Sequence, residues 1–113
     1  MASGKLLIWL TAAMVLAAAP SVYAAGDALE GERVAKRWCS GCHVVDRRGR
    51  GGDGAPAFVD LANNPAKSEH YLKNWITNPH PPMPNFNLSR RVVDDLVAYI
   101  RSLSQGKRSI PAK

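Results

Sequence analysis

Residues 39–43 read Cys39-Ser40-Gly41-Cys42-His43, and they contain the only two cysteines of the 113-residue chain. The pattern C-x-x-C-H is a sequence by which proteins attach haem covalently. Two thiols at this spacing each add across one vinyl group of the porphyrin, and the next histidine lies beneath the iron as its proximal ligand. The motif therefore predicts one haem c bound through two thioethers to Cys39 and Cys42, with His43 on the metal.

Three other readings of the cysteine pair compete with haem attachment. A structural zinc site needs four ligands, and the other two histidines, His70 and His80, lie ten residues apart and do not form a matching second pair. A redox-active C-x-x-C belongs in a βαβ context, whereas here a glycine-rich loop follows the motif. A plain disulfide is the third alternative, because the protein is expected to be exported.

The first 24 residues have the pattern of an export signal. Lys5 precedes a mostly apolar run at 6–19, which is shorter than the roughly 20 residues that span a bilayer. Val22 and Ala24 fit the small-residue positions before a cleavage site. We expect cleavage after Ala24, so that residues 25–113 form a periplasmic domain. An uncleaved membrane anchor is the alternative.

The net charge of +6 becomes +5 when Lys5 leaves with residues 1–24. Export removes nucleic acid from the candidate partners, so the basic charge favours an acidic protein surface or a membrane. Arg47, Arg48 and Arg50 follow the haem motif directly. They are interpreted either as a solvated loop, which we favour, or as a cluster that steers an acidic redox partner.

The second iron ligand can be argued by elimination, because methionine and histidine are the usual candidates. Met1 and Met14 lie in the expected signal, which leaves Met83 in the exported part. Met83 stands among prolines 81, 82 and 84, whose fixed φ angles reduce the entropy lost when a loop holds a ligand. His80 is the rival ligand, and His70 is expected on a helix surface.

Helical periodicity predicts an all-α domain with helices over 27–38, 68–78 and 89–103, capped by Asp27, Ser68 and Ser89. On the first helix, Ala28, Gly31, Ala35 and Trp38 are expected on one face. Residues 46–67 and 79–88 are predicted to be loops, because glycine or proline recurs in them. A chain this small with so much loop has a weak core of its own, so a large apolar cofactor is expected to complete it.

Residues 27–104 resemble the class I cytochrome c family. The resemblance rests on the motif at 39–43 and on Met83-Pro84 forty residues after His43. It implies the cytochrome c fold, with three main helices and long loops wrapped around one covalently bound haem. It also implies that the Pro56 carbonyl accepts a hydrogen bond from the proximal imidazole, and that Phe58 packs against the haem. Gly31 matches the small residue where the first and last helices cross, and Tyr99 the aromatic that meets it.

The coordination by His43 and Met83 predicts single-electron transfer and no catalysis, because two strong ligands leave the iron no open position. The expected partners are redox proteins: a terminal oxidase, a dehydrogenase or other cytochromes. We expect a monomer that meets a membrane only if the signal stays uncleaved. The alternatives are an electron-accepting subunit of a periplasmic dehydrogenase and a haem sensor or peroxidase-like protein in which Met83 leaves the iron.

Overall fold

The computed structural model describes residues 25–48, 54–78 and 80–104. The expected export signal, its cleavage site and Arg50 lie outside these residues. The described elements are four α-helices and one π-helical turn: α1 (Ala28–Val34), the π-turn (Ala35–Cys39), α2 (Phe58–Asn63), α3 (Glu69–Thr77) and α4 (Arg90–Ser102). No β-strand occurs within the three described ranges, so the expected all-α class is confirmed.

The helix α2 is missing from the sequence prediction, which assigned loop to all of residues 46–67. It has six residues and no side-chain cap at its N-terminus. A segment this short shows less than two turns of periodicity, and it carries no capping signal that would separate it from the surrounding loop.

The first predicted helix changes its geometry halfway. Asp27 caps α1 as expected, since its side chain accepts hydrogen bonds from the backbone of Leu29 and Glu30. From Ala35 onward the chain forms a π-turn, in which the Ser40 N–H donates to the Ala35 carbonyl at 3.1 Å. This wider turn rotates the following residues off the α-helical face. Trp38 is therefore 48% exposed and does not share the buried face of Gly31 and Ala35 as the periodicity predicted.

Helix α1 packs most extensively against α4. A Cβ atom built on Gly31 would overlap the Asp95 carbonyl oxygen and lie 2.8 Å from Cβ of Tyr99. Glycine is therefore required at this crossing, and the expected meeting of Gly31 with Tyr99 is confirmed. Asp95 is 6% exposed, and its carboxylate accepts the backbone N–H of Asp27 at 2.6 Å.

The core lies between α4 and the other helices. Ser68 and Ser89 cap α3 and α4 as predicted, each accepting a backbone N–H with its hydroxyl. Leu72 of α3 and Leu96, Val97 and Ile100 of α4 are buried. Val93 of α4 is also buried. In the three described ranges, none of the helices combines the length and apolar composition needed to cross a membrane.

Candidate haem-binding site

A deep apolar cavity lies between the π-turn, α3, α4 and the loop that contains Met83. It encloses about 870 Å³ of empty space, its open mouth included. His43, Pro56, Phe58 and Met83 all line it. The other lining residues are mostly apolar or aromatic: Trp38, Cys39, Leu61, Lys67, Tyr71, Leu72, Trp75, Ile76, Phe86, Leu88, Leu96 and Ile100.

The motif 39–43 forms a tight turn at the end of the π-turn. The backbone N–H groups of Cys42 and His43 both donate to the Cys39 carbonyl, at 3.1 and 2.9 Å. This turn brings His43 back toward Cys39, and both residues line the cavity. Cys42 is exposed and is not among the lining residues, so the structure places the two thiols differently: Cys39 at the cavity and Cys42 at the surface.

The His43 ring is oriented by a hydrogen bond and a ring contact. Its Nδ1 lies 2.7 Å from the Pro56 carbonyl oxygen, and because a carbonyl only accepts, Nδ1 carries the proton. The lone pair is therefore on Nε2, which is the form of imidazole that binds a metal. The Phe58 ring packs beside it, with ring centroids 5.3 Å apart. The contact that the resemblance implied for Pro56 is present.

The segment after the motif is fixed by successive contacts. The Phe58 N–H donates to the Val44 carbonyl at 2.9 Å, and the Tyr99 hydroxyl donates to the Val45 carbonyl at 2.8 Å. Val44 and Val45 are both buried. His43 is therefore followed directly by a stretch of backbone that these contacts fix.

Arg47 also belongs to this fixed segment. Its guanidinium donates to the Leu103 carbonyl at 2.9 Å and to the Ser102 carbonyl at 2.8 Å. These are carbonyls at the end of α4, which have no partner within the helix. Arg47 is therefore a helix-capping residue that is also exposed, a role that the sequence did not indicate; its part in steering a partner stays a prediction. The described neighbour Arg48 is exposed.

Met83 faces the cavity from the proline-rich loop, and His80 does not. The loop begins with a turn in which the Met83 N–H donates to the His80 carbonyl at 2.9 Å. The His80 ring instead packs on Trp75, with centroids 4.2 Å apart, and its Nδ1 lies 2.9 Å from the Asn78 carbonyl oxygen. His70 lies exposed on α3. Of the ligand candidates that the sequence raised, the structure brings His43 and Met83 to one cavity.

Burial raises the pKa of the Cys39 thiol to about 11. A C-x-x-C redox centre needs a nucleophilic thiol whose pKa is lowered, so this shift argues against that alternative. Within the described residues, no three His, Cys, Asp or Glu side chains come together as a metal-binding cluster. The part of the chain that the structure describes therefore offers no multi-ligand zinc site of the kind considered above.

One charged side chain lies among the residues that line the cavity. Lys67 Nζ is 2.6 Å from the Tyr71 hydroxyl and 4.0 Å from the centroid of its ring. The Tyr71 ring stacks on Trp75, with centroids 5.7 Å apart. Sequence patterns did not single out Lys67, because a lone lysine before a helix cap has no distinguishing signal. It gives one wall of an otherwise apolar cavity a positive charge.

The residues present fit a haem. The cavity has an apolar lining, an imidazole with a free Nε2, the thioether of Met83, a thiol at its wall and a cation for the acidic side chains of the porphyrin. Haem iron accepts the His and Met donor pair. Phe86 and Leu88 complete the lining from the loop after Met83, and sequence reasoning missed both because the loop has no periodicity.

Comparisons with known proteins agree with this chemistry. A family model described as cytochrome C oxidase, cbb3-type, subunit III matches residues 26–100. Cytochrome c-552 of Bradyrhizobium diazoefficiens is 40% identical over 91 residues, which cover 80% of this chain and 88% of that protein. No solved structure matches the chain significantly. From the family match, the relative and the all-α cavity together, we conclude that this chain belongs to the c-type cytochromes, the haem c proteins of electron transfer.

Proposed function

We propose that this protein is a periplasmic monohaem electron carrier, with haem c linked to Cys39 and Cys42 and the iron bound by His43 and Met83. One observation supports this most strongly: His43 and Met83 line the same apolar cavity, while His80 lies outside it against Trp75. When bound, the haem supplies one-electron exchange between Fe(III) and Fe(II). The protein's residues bind it, orient its ligands and exclude water.

His43 is proposed as the proximal ligand. The Pro56 carbonyl accepts a hydrogen bond from the Nδ1–H group, which fixes the tautomer and the ring orientation and raises the basicity of Nε2. Phe58 limits the ring from one side. The backbone at Val44 and Val45 is itself held by Phe58 and Tyr99, so His43 would keep its position when haem is bound and would add little to the reorganisation of an electron transfer.

Met83 is proposed as the second ligand. A thioether favours the ferrous state relative to a second imidazole, and the apolar walls of the cavity act in the same direction because they disfavour the extra positive charge of the ferric state. With both ligands in place, no position is open for a substrate. This supports a carrier rather than an enzyme, and it disfavours the haem-sensor alternative.

Lys67 and Tyr71 are proposed to bind a haem propionate. The Lys67 ammonium is positioned at the cavity by its contacts with the Tyr71 hydroxyl and ring, and an ammonium–carboxylate hydrogen bond is stronger than a neutral one. Trp75, stacked on Tyr71, holds the pair in place. This arrangement supplies the polar contacts that the rest of the lining lacks.

The proposed partners are other redox proteins, and the protein itself is proposed to be a monomer. The matching family is described as a subunit of a cbb3-type cytochrome oxidase, which supports a terminal oxidase as one partner. Export is proposed from residues 1–24, with the cut after Ala24. A dehydrogenase subunit remains a second proposal from the sequence, and stable co-purification with a larger enzyme would distinguish it from a free carrier.

The proposed function is tested by mass spectrometry and visible spectroscopy of the protein isolated from the periplasm. The expected mass is that of residues 25–113 plus one haem. The oxidised form should show the long-wavelength absorption band of methionine-ligated ferric haem. Met83→Ala should lose this band, whereas His80→Ala should keep it. Retention of the band in Met83→Ala would contradict the assignment of Met83, and a mass without haem would contradict covalent attachment.

A further inference from the structure

The loop at residues 80–88 carries the proposed ligand Met83, and among the described residues a single hydrogen bond, from His80 to the Asn78 carbonyl at the end of α3, leaves the loop. Its prolines at 81, 82 and 84 have no N–H to donate. The hydrogen bonds that the described residues of this loop make are local. They join Met83 to His80, Asn87 to Asn85, and His80 to Asn78. Side-chain packing must therefore hold the loop over the cavity.

Two aromatic contacts supply that packing, one on each side of Met83. On the N-terminal side, the His80 ring packs on Trp75 of α3. On the C-terminal side, the Phe86 ring meets Trp38 edge to face, with centroids 5.6 Å apart and ring planes at 82°. Trp38 directly precedes Cys39, so this second contact joins the Met83 loop to the segment that carries His43.

The position of Trp38 is itself a product of the π-turn. In a continued α-helix its side chain would lie on the buried face with Gly31 and Ala35. The wider turn instead places Trp38 at the cavity mouth, 48% exposed, where it lines the cavity and reaches Phe86. Irregular turns of this kind often occur at functional sites. The Arg37 guanidinium lies 6.0 Å from the Trp38 ring centroid and helps to fix it.

We propose that Trp38 and Phe86 form an aromatic latch that holds the Met83 loop closed across the cavity mouth. This inference rests on the proposed ligation by Met83 and assigns two positioning residues to it. The latch favours the state in which the thioether is bound over the state in which the loop is open. An edge-to-face pair contributes enough to shift such an equilibrium between about twofold and about tenfold.

The test is the affinity of exogenous imidazole for the oxidised holoprotein, measured by loss of the methionine-ligation band at neutral pH. Imidazole binds only when Met83 is displaced, so its apparent affinity reports the population of the open loop. In Trp38→Ala and in Phe86→Ala we expect tighter imidazole binding, by between about twofold and about tenfold. Trp38→Phe should restore most of the wild-type affinity, because it keeps an aromatic edge at this position.

The double variant Trp38→Ala/Phe86→Ala separates a latch from general loosening. Two residues that act through one contact have non-additive effects, so the double variant should bind imidazole no more tightly than the more affected single variant. Leu29→Ala, which removes another exposed apolar side chain (57% exposed) from α1, should leave the affinity unchanged.

Unchanged imidazole affinity in both single variants, or fully additive effects in the double variant, would overturn the latch while leaving Met83 ligation intact. Absence of the methionine-ligation band in the wild-type protein would instead overturn Met83 as a ligand, and the latch with it. The two failures are therefore visible in different measurements.

Discussion

Tyr99 connects three parts of the molecule through one side chain. Its Cβ lies where α1 crosses α4 beside Gly31, its ring meets Phe58 with centroids 6.5 Å apart, and its hydroxyl donates to the Val45 carbonyl. Phe58 in turn packs on His43. The resemblance placed Tyr99 only at the helix crossing. Tyr99 therefore also supports the Phe58 ring, which packs against the His43 imidazole.

The stability that Tyr99 contributes should depend on pH. Burial, and secondly the carboxylates of Glu32 and Asp46, raise the pKa of Tyr99 above its usual value of 10.0. In the unfolded chain the phenol therefore loses its proton at a lower pH than in the folded protein. The contribution of Tyr99 to the free energy of unfolding is fully present below about pH 10. It declines as the pH rises further, because ionisation of the phenol then stabilises the unfolded state more than the folded state.

We expect Tyr99→Phe to lower the free energy of unfolding of the holoprotein by about 1–3 kcal/mol at pH 7, since the buried Val45 carbonyl loses its donor. The difference between wild type and Tyr99→Phe should shrink as the pH is raised above about 10. Denaturant titrations of both proteins from pH 7 to 11 measure this. A difference that stays constant over the whole range would show that Tyr99 titrates equally in both states.

At the scale of elements, the end of α4 is stabilised by a residue from a distant segment. Arg47 donates to the carbonyls of Ser102 and Leu103, and its positive charge also lies at the negative end of the helix dipole. A similar contact occurs at the end of α2, where Arg101 donates to the Ala62 carbonyl at 3.2 Å. Two arginines thus donate hydrogen bonds to carbonyl groups at the ends of helices.

Arg47→Gln should therefore destabilise the holoprotein by about 1–2 kcal/mol, because two charge-assisted hydrogen bonds are lost. Arg48→Gln is the matched control: it removes the same charge from the exposed neighbouring residue and should change stability by less than about 0.5 kcal/mol. Thermal unfolding of both variants measures the difference. Equal effects would mean that loop charge, and not helix capping, decides the stability.

The sequence predicted the elements that carry their own signals. Asp27, Ser68 and Ser89 are short polar residues before periodic apolar runs, and each one caps the helix that was predicted after it. The six-residue α2 was missed because it has neither a cap nor enough turns. The π-turn was missed because its wider hydrogen-bonding pattern depends on tertiary packing. The spacing of apolar residues in the sequence carries no information on that packing.

The candidate site was predictable where chemistry constrains residue type. A pair of thiols followed by histidine is specific, and elimination left one methionine outside the expected signal. Lys67, Phe86 and Leu88 could not be found in this way, since each is a common residue whose role arises from where the folded loop places it. The Trp38–Phe86 contact joins residues far apart in the chain and has no local signature.

At the scale of the whole molecule, the core and the cavity share the same residues. Leu72, Leu96 and Ile100 are buried, and all three also line the cavity. Each buried leucine or isoleucine is worth about 1.5–3 kcal/mol relative to exposure, whereas small domains are stable by only about 5–15 kcal/mol in total. A cofactor in the cavity would instead cover lining side chains that the protein leaves exposed, such as Trp38 and Trp75 at 48% each, and this further burial is large relative to the net stability.

A Cys39→Ala/Cys42→Ala protein produced without haem should accordingly lose its cooperative thermal transition and its near-ultraviolet circular dichroism. Some helical signal should remain, because the α1–α4 crossing does not involve the cavity. Calorimetry and circular dichroism of this variant beside the wild-type holoprotein measure the effect. A sharp transition close to that of the wild type would show that the chain's own core is sufficient.

The anchoring of residues 26 and 27 against α4 has a practical consequence. The Asp27 N–H is bound by the buried Asp95 carboxylate, and a Cβ on Gly26 would overlap the Asp94 carbonyl. With the proposed cut after Ala24, a single residue precedes this anchored pair. A linker attached at residue 25 would therefore emerge from a rigid point rather than a flexible arm. A protein film immobilised on an electrode through that residue should present its molecules in one uniform orientation.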